Sequence, residues 1–176
     1  KGQVTNHQHC LEVATTDVIW RCDDDNIPEP DCLHNLLAEM KEGVGAVGGL
    51  VHHPGGISPL PKGVDGSLND LAMGLNIAWF DWNSGPKECE HLYSTFVYRV
   101  SSAREVGGYP LDLSPCGHRE ESWLTHKIHR AGYKVICTPY ARTAHLREAT
   151  GGIRTYTDPA MWEHDEGLFQ AYLRAI

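Results

Sequence analysis

The stretch TDVIWRCDDDNIPEP, residues 16 to 30, constrains this chain more than any other. An apolar run, Val18-Ile19-Trp20, leads into Asp23-Asp24-Asp25-Asn26, and Pro28 and Pro30 close it off. Three adjacent carboxylates repel one another. A fold that ends a short buried strand on them must leave them in water or place a cation among them. Side chains alternate along an extended chain, which turns Asp23 and Asp25 to one side and Asp24 to the other. Two carboxylates on one side make a hard-oxygen site for Mg²⁺ or Mn²⁺, of the kind that leaves coordination positions to phosphates. The competing reading is a solvated Asp-rich turn with Asn26 and Pro28 as ordinary turn residues. An EF-hand loop is excluded, because Ile27 and Pro28 stand where a ligand and a glycine are needed.

The remaining chain reads as helices alternating with strands. Residues 3–14 form a helix of modest quality and 17–22 the strand that ends in the acidic cluster. Asp31 lies near the start of a second helix, with Leu33, Leu36, Leu37 and Met40 at helical spacing and Gly43 at its end. VGAVGGLV (44–51) is a small-residue strand suited to burial on both faces. Residues 52–66, rich in Gly and Pro, read as a long loop of the functional kind. NIAWFDW (76–82) and LYSTFVYRV (92–100) read as strands. SSAREVGGY is a short helix capped by Ser101 or Ser102 and stopped by Gly107-Gly108. A helix over 119–132 ends at Gly132 and a strand over 133–139 follows. The pattern predicts an α/β fold, a mostly parallel sheet flanked by helices. It spans residues 1–150, followed by a C-terminal segment, 151–176, with a flexible start and an amphipathic helix at about 161–175.

The 176 residues suit one domain with a real core. A formal charge of -8, with no Lys/Arg block, argues against non-specific binding to nucleic acid or anionic membrane. The six cysteines form no CxxC pair and read as reduced and mostly buried, which predicts a cytoplasmic setting. No segment reaches the length of a membrane span.

A second acidic site lies in GHREESWLTHKIHRAGYKV. Glu121 shares a helical stripe with Leu124, Ile128 and Ala131, which should face the protein body. A carboxylate there sits at the rim of a cleft or is costly to bury. In the first helical turn the macrodipole softens that cost. A partly desolvated carboxylate with a raised pKa is what a general base near neutral pH requires. The plainer reading is a glutamate placed for the helix dipole alone.

With both sites in view, the chain resembles the family 2 glycosyltransferases, which have the GT-A fold. NHQHCLEVATTDVIWRCDDDNIPEPDCL is similar to that family's helix, strand, DxD pair and Pro-containing loop. STFVYRVSSAREVGGYPLDLSPCGHREESWLTHKIHRAGYKVICTPYARTAHL is similar to its second half, in order and at family-like spacing, over roughly residues 5–147 together. The resemblance implies transfer of a sugar from a nucleotide-diphosphate donor to an acceptor hydroxyl, usually with inversion. It implies that Asp25 binds Mn²⁺ or Mg²⁺ and that Asp23 meets the donor ribose or the metal through water, with Asp24 assisting. It places the catalytic base at Glu121 of the pair Glu120-Glu121, where many members have Asp, and adds His145 to the metal site. The family's first β-α-β units, which hold the nucleotide base, have no counterpart. An N-terminally truncated GT-A fold is therefore expected: a fragment, a fold completed through another chain, or a module without normal nucleotide binding. Exposed strand edges would favour a homodimer. The QxxRW motif of processive synthases is absent, so a transferase here would be non-processive.

Weaker signals complete the reading. Trp79, Trp82 and Asn83 resemble the family's acceptor-facing region, but serve equally as core aromatics. The acceptor itself, whether glycan, lipid or protein, is not readable. His7 and His9, at i and i+2 of a helix, do not face each other and make a poor chelate. Arg99 and Arg119 suit a phosphate or a glutamate partner. Two other functions compete with transfer. One is an inactive GT-A-like module that keeps the acidic site for binding or assembly. The other is a Mg²⁺-dependent phosphatase working through an aspartyl-phosphate, for which Ile27 and the lack of a partner lysine fit poorly.

Overall fold

A computed structural model describes residues 2–52, 85–93, 95–146 and 158–176. The loop expected from residue 53 onward, the strand over 76–82 with Trp79, Trp82 and Asn83, and the start of the tail lie outside the described residues. The elements in chain order are α1 (Gln3–Val13), β1 (Val18–Arg21), β2 (Asn26–Pro28), α2 (Cys32–Ala38) and β3 (Val44–His52). They continue as β4 (Lys87–Cys89), β5 (Phe96–Arg99), α3 (Val100–Glu105), α4 (Glu120–Arg130), β6 (Lys134–His145) and α5 (Pro159–Arg174).

The sheet runs β1-β5-β3-β6-β2, with β4 also paired to β6. Among the described strands β3 and β6 pair in parallel, while β1–β5, β3–β5, β2–β6 and β4–β6 pair antiparallel. The mostly parallel sheet expected from the alternation is therefore corrected. β1, β3 and β6 do share one direction, but β5 lies antiparallel between β1 and β3. A pattern of alternating elements counts the strands but does not fix the direction in which each one enters the sheet.

Period-2 burial splits the core into two layers. Phe96 and Tyr98 join Leu11, Leu124 and Ile128 on one face of the sheet, under α1 and α4. Val97 joins Cys32, Leu36 and Val47 on the other, under α2. Removing rings such as Phe96 from water stabilises the fold by about 2–3 kcal/mol each.

The cap expected at Ser101 or Ser102 is instead Arg99, since the strand leads directly into α3. Ser102 is buried inside the helix and donates to the Arg99 carbonyl at 3.0 Å. Gly107 and Gly108, both at positive φ, stop the chain as expected. Ala131, expected to face the body, is exposed at the end of α4. Arg99 donates its guanidinium to the carbonyls of Val44, Met40 and Lys41 at 2.8–3.0 Å. All six cysteines are free, four buried and Cys10 and Cys22 exposed. Cys22 lies past the end of β1, where the apolar run opens onto the acidic cluster.

One irregularity positions the functional end of the sheet. β6 pairs with β3 through Gly49↔Thr138, then resumes at Leu50↔Arg142, so Pro139, Tyr140 and Ala141 bulge out. A Cβ on Gly49 would overlap the Ala141 carbonyl oxygen, and the bulge thus depends on glycine there. Beyond it, Thr143–His145 turns to pair with β2.

Candidate active site

β1 delivers the acidic cluster and β6 delivers a histidine to it. The β2–β6 register sets Asn26 opposite His145, and the Leu146 amide donates to the Asp25 carbonyl at 2.9 Å. His145 Nε2 consequently lies 3.0 Å from Asp25 Oδ2. Asp23, Asp25 and His145 each offer a ligand atom within 4.8 Å of the others. Asp24 is exposed and also lines the cleft, and the extended alternation expected across the cluster is replaced by a turn in which the Asn26 amide donates to the Asp23 carbonyl at 3.2 Å. Two carboxylate oxygens and an imidazole nitrogen form a donor set that could hold a divalent cation, and the nitrogen tilts it from Mg²⁺ toward transition metals such as Mn²⁺.

Behind the cluster lies a buried ion pair. Arg21, 5% exposed, directs Nη1 to Asp23 Oδ1 at 3.0 Å and Nη2 to Glu120 Oε1 at 2.6 Å. Glu120 is fully buried, and Gln3 Nε2 also donates to its Oε1 at 3.1 Å. Burial pushes the Glu120 carboxyl up and the Arg21 guanidinium pulls it back. Burial likewise opposes the Arg21 charge, and the carboxylates of Glu120, Asp23 and Glu121 more than restore it.

Glu121, the next residue, is half-buried and faces the cleft. Burial first, and the neighbouring Glu120 charge second, push its carboxyl up to about 7. Of the acidic pair, Glu120 is buried and paired with Arg21, and Glu121 faces the cleft. The cleft encloses about 520 Å³ and brings Asp23, Asp25, His145 and Glu121 to one space. His7 also lines it, stacked on Tyr109 at 5.4 Å between centroids, and burial lowers its pKa to about 4.

The remaining wall comes from the segment before α4 and from α5. Arg119 caps α4 with a φ of 72°, alone among the described non-glycine residues in that region, and its Nε lies 2.9 Å from Glu166 Oε2. His118 packs against Trp162 with centroids 4.9 Å apart and the rings tilted by 54°. The fully buried Asp165 carboxylate accepts from the amides of Ser114 and His118 at 2.6 and 2.9 Å.

Sequence reasoning missed Arg21, Gln3, His118, Trp162 and Asp165. A lone arginine inside an apolar strand was the readable signal for the first. Nothing local distinguishes the others, since their roles come from contacts made across the chain.

The first 84 residues match the family model described as glycosyl transferase family 2. No curated protein matches the sequence. Among solved structures the chain is similar to the mannosyltransferase PcManGT from Pyrobaculum calidifontis, in complex with GDP-Man and Mn²⁺. That likeness has a TM-score of 0.58 at 19% identity and covers 86% of this chain and 38% of that one. It is also similar to GalNAc-T7 with UDP, GalNAc and Mn²⁺, with a TM-score of 0.61 at 14% identity, over 84% of this chain and 31% of that one. The chain thus spans about a third of the length of these proteins. At such identities the likeness carries the fold alone, a GT-A fold, and the match to the family 2 description covers the first 84 residues, which include the acidic cluster.

Proposed function

We propose that the chain is the catalytic part of a metal-dependent, inverting, non-processive glycosyltransferase that takes a nucleotide-diphosphate sugar as donor. The observation that carries this reading is the convergence of Asp23, Asp25 and His145 on the same cleft as Glu121. Asp25 and His145 would hold a divalent cation, and Asp23 would complete the site or meet the donor ribose. Bound there, the cation neutralises charge building on the leaving diphosphate. Glu121 removes the proton from the acceptor hydroxyl as that oxygen attacks the anomeric carbon. A carboxyl raised to about 7 by burial and by the Glu120 charge suits this role, being basic enough to take the proton. Glu120 does not reach the reacting atoms and serves through Arg21. With Glu121 as the one base acting on the acceptor, the reading is a direct displacement, hence inversion.

The test is calorimetric titration of UDP and GDP into the 176-residue chain with Mn²⁺ and again with EDTA. Binding that needs the metal supports the donor site. No binding of either nucleotide overturns it for this chain and favours a GT-A-like module that works in binding or assembly. Among the described residues no helix is long and apolar enough to cross a membrane.

A further inference from the structure

We infer that Asp165 is a positioning residue for Glu121: by holding the segment 114–119 it fixes the first turn of α4, and so the point in the cleft at which the acceptor's proton is taken. The role of Glu121 as base rests on the transferase reading, and its enforced position rests on geometry.

Asp165 lies in the middle of α5 and is 0% exposed. Its carboxylate gathers five polar contacts. Oδ1 accepts from the Ser114 amide at 2.6 Å and lies 3.1 Å from His164 Nδ1. Oδ2 accepts from the Ser114 hydroxyl at 2.9 Å, the Cys116 thiol at 3.1 Å and the His118 amide at 2.9 Å. Four of the five come from the segment that leads into α4. A carboxylate is costly to bury without such partners, and one bonded this fully holds its surroundings in a single arrangement.

That arrangement is one the segment would not take unaided. Gly117 has a φ of 65° and Arg119 a φ of 72°. Arg119, with a full side chain, is disfavoured there and keeps the conformation only where its surroundings over-determine it. They do so from α5. Asp165 holds the amide of His118, the residue before, and Glu166 Oε2 lies 2.9 Å from Arg119 Nε and 3.2 Å from His118 Nε2. The same segment is bonded into the start of α4. The Glu120 amide donates to the Gly117 carbonyl at 3.2 Å, and the Trp123 amide to the Arg119 carbonyl at 2.9 Å. Arg21 anchors the Glu120 side chain from β1, and Asp165 anchors the backbone from α5. Glu121, half-buried on the cleft wall, depends on both. Release of the segment lets Arg119 relax to an ordinary φ, shifts the first turn of α4 and admits water to Glu121.

Asp165→Asn keeps the volume, but its NH₂ replaces one of the two oxygens and meets a backbone amide, of Ser114 or of His118, whichever way it is turned. The experiment follows the Glu121 carboxyl by carbon-13 NMR of the full chain labelled at the glutamate carboxyl carbons, in EDTA, from about pH 4 to about pH 9. The signal is assigned by its absence in Glu121→Gln. Asp165→Asn, the milder Ser114→Ala and the unaltered chain are compared with Gly43→Ala, which strains the backbone outside the cleft. The midpoint is expected at about 7 in the unaltered chain and in Gly43→Ala. It should fall by at least about one pH unit toward 4.5 in Asp165→Asn, and by less in Ser114→Ala. An unmoved midpoint in a folded Asp165→Asn overturns the positioning role. Should that variant not fold, an unmoved midpoint in Ser114→Ala overturns it. An equal fall in Gly43→Ala does so too, since any loss of stability would then suffice. An ordinary glutamate midpoint in the unaltered chain also overturns it, because no enforced position is left to lose. UDP and GDP binding with Mn²⁺ on the same samples separates the two readings. A midpoint that depends on Asp165, in a chain that binds neither nucleotide, leaves the positioning standing and removes the transferase reading instead.

Discussion

Arg21 and Glu120, 99 residues apart in the chain, meet in a buried ion pair with 2.6 Å between Nη2 and Oε1. The pair joins the strand that ends in the acidic cluster to the helix that carries Glu121. Removing one partner leaves the other charged in a site without water. Arg21→Met is therefore expected to cost about 3–5 kcal/mol in urea unfolding. Arg21→Met combined with Glu120→Leu should recover most of that loss, because the stranded charge is gone. Additive losses in the double variant would show that the two residues act separately.

The 3.0 Å approach of His145 Nε2 to Asp25 Oδ2 predicts shared work on one cation. Asp25→Ala and His145→Ala should each weaken Mn²⁺-dependent nucleotide binding at least about tenfold, with Asp25→Ala the more severe. The decisive readout is calorimetry with Mn²⁺ titrated against a fixed excess of UDP. Unchanged affinity in both variants would place the metal elsewhere.

The acidic cluster was legible because its chemistry is local. Three adjacent carboxylates at a strand end are readable whatever the fold, but the turn closed by the Asn26 amide on the Asp23 carbonyl, not strand alternation, sets Asp23 and Asp25 near each other. α1, β3 and α4 were legible for the same reason, through periodicity and glycine stops. Direction within the sheet was not, since β5 pairs with strands distant in the chain and no residue in Phe96–Arg99 records its neighbours. Arg21 and Asp165 show the same limit at the site: each satisfies a charge against a partner that only the folded chain supplies. His7 was weighed as a chelator and set aside, yet it lines the cleft through its stack on Tyr109.

Glu121 sets the pH dependence. A base works deprotonated, so transfer should rise with pH through about 7 and level off above it. Glu121→Gln should spare donor binding and lower kcat by about 10²–10⁴-fold. Stability carries the opposite slope. The folded-state pKa lies above the ordinary value of 4.5, so the folded chain binds more protons across that interval. Between about 4.5 and about 7 stability should fall as pH rises. Unfolding measured in EDTA at pH 5 and pH 8 should show a smaller fall in Glu121→Gln than in the unaltered chain.

Asp165 should behave in the reverse sense. Burial works to raise its carboxyl pKa, but the donors from Ser114, His164 and Cys116 hold it below 3.8. A depressed folded-state pKa gives stability that is present above the unfolded value and lost as pH falls through the folded one. Asp165→Asn should cost about 1.5–3 kcal/mol at neutral pH, the worth of a charge-assisted hydrogen bond. That difference should shrink in acid below about pH 3.8. A difference that stays constant down to pH 2.5 would mean that packing, not charge, holds the loop.

Gly49 links the fold to the metal site. A Cβ there overlaps the Ala141 carbonyl oxygen, at the bulge beyond which β6 turns to meet β2. Gly49→Ala must push the two strands apart, at a cost of about 1–3 kcal/mol for overpacking. The displacement travels along Arg142, Thr143 and Ala144 to His145, whose imidazole is placed only by that register. Mn²⁺ affinity should consequently fall although residue 49 lies outside the acidic cluster. Gly43, also on the approach to β3, has no atom within 4 Å of a built Cβ but takes a φ of +77°. Gly43→Ala should therefore lose stability through backbone strain alone and keep its Mn²⁺ affinity. Loss of stability with loss of affinity at Gly49, against loss of stability alone at Gly43, would show that the bulge aims His145. Equal retention of affinity in both would show that His145 finds its place without it.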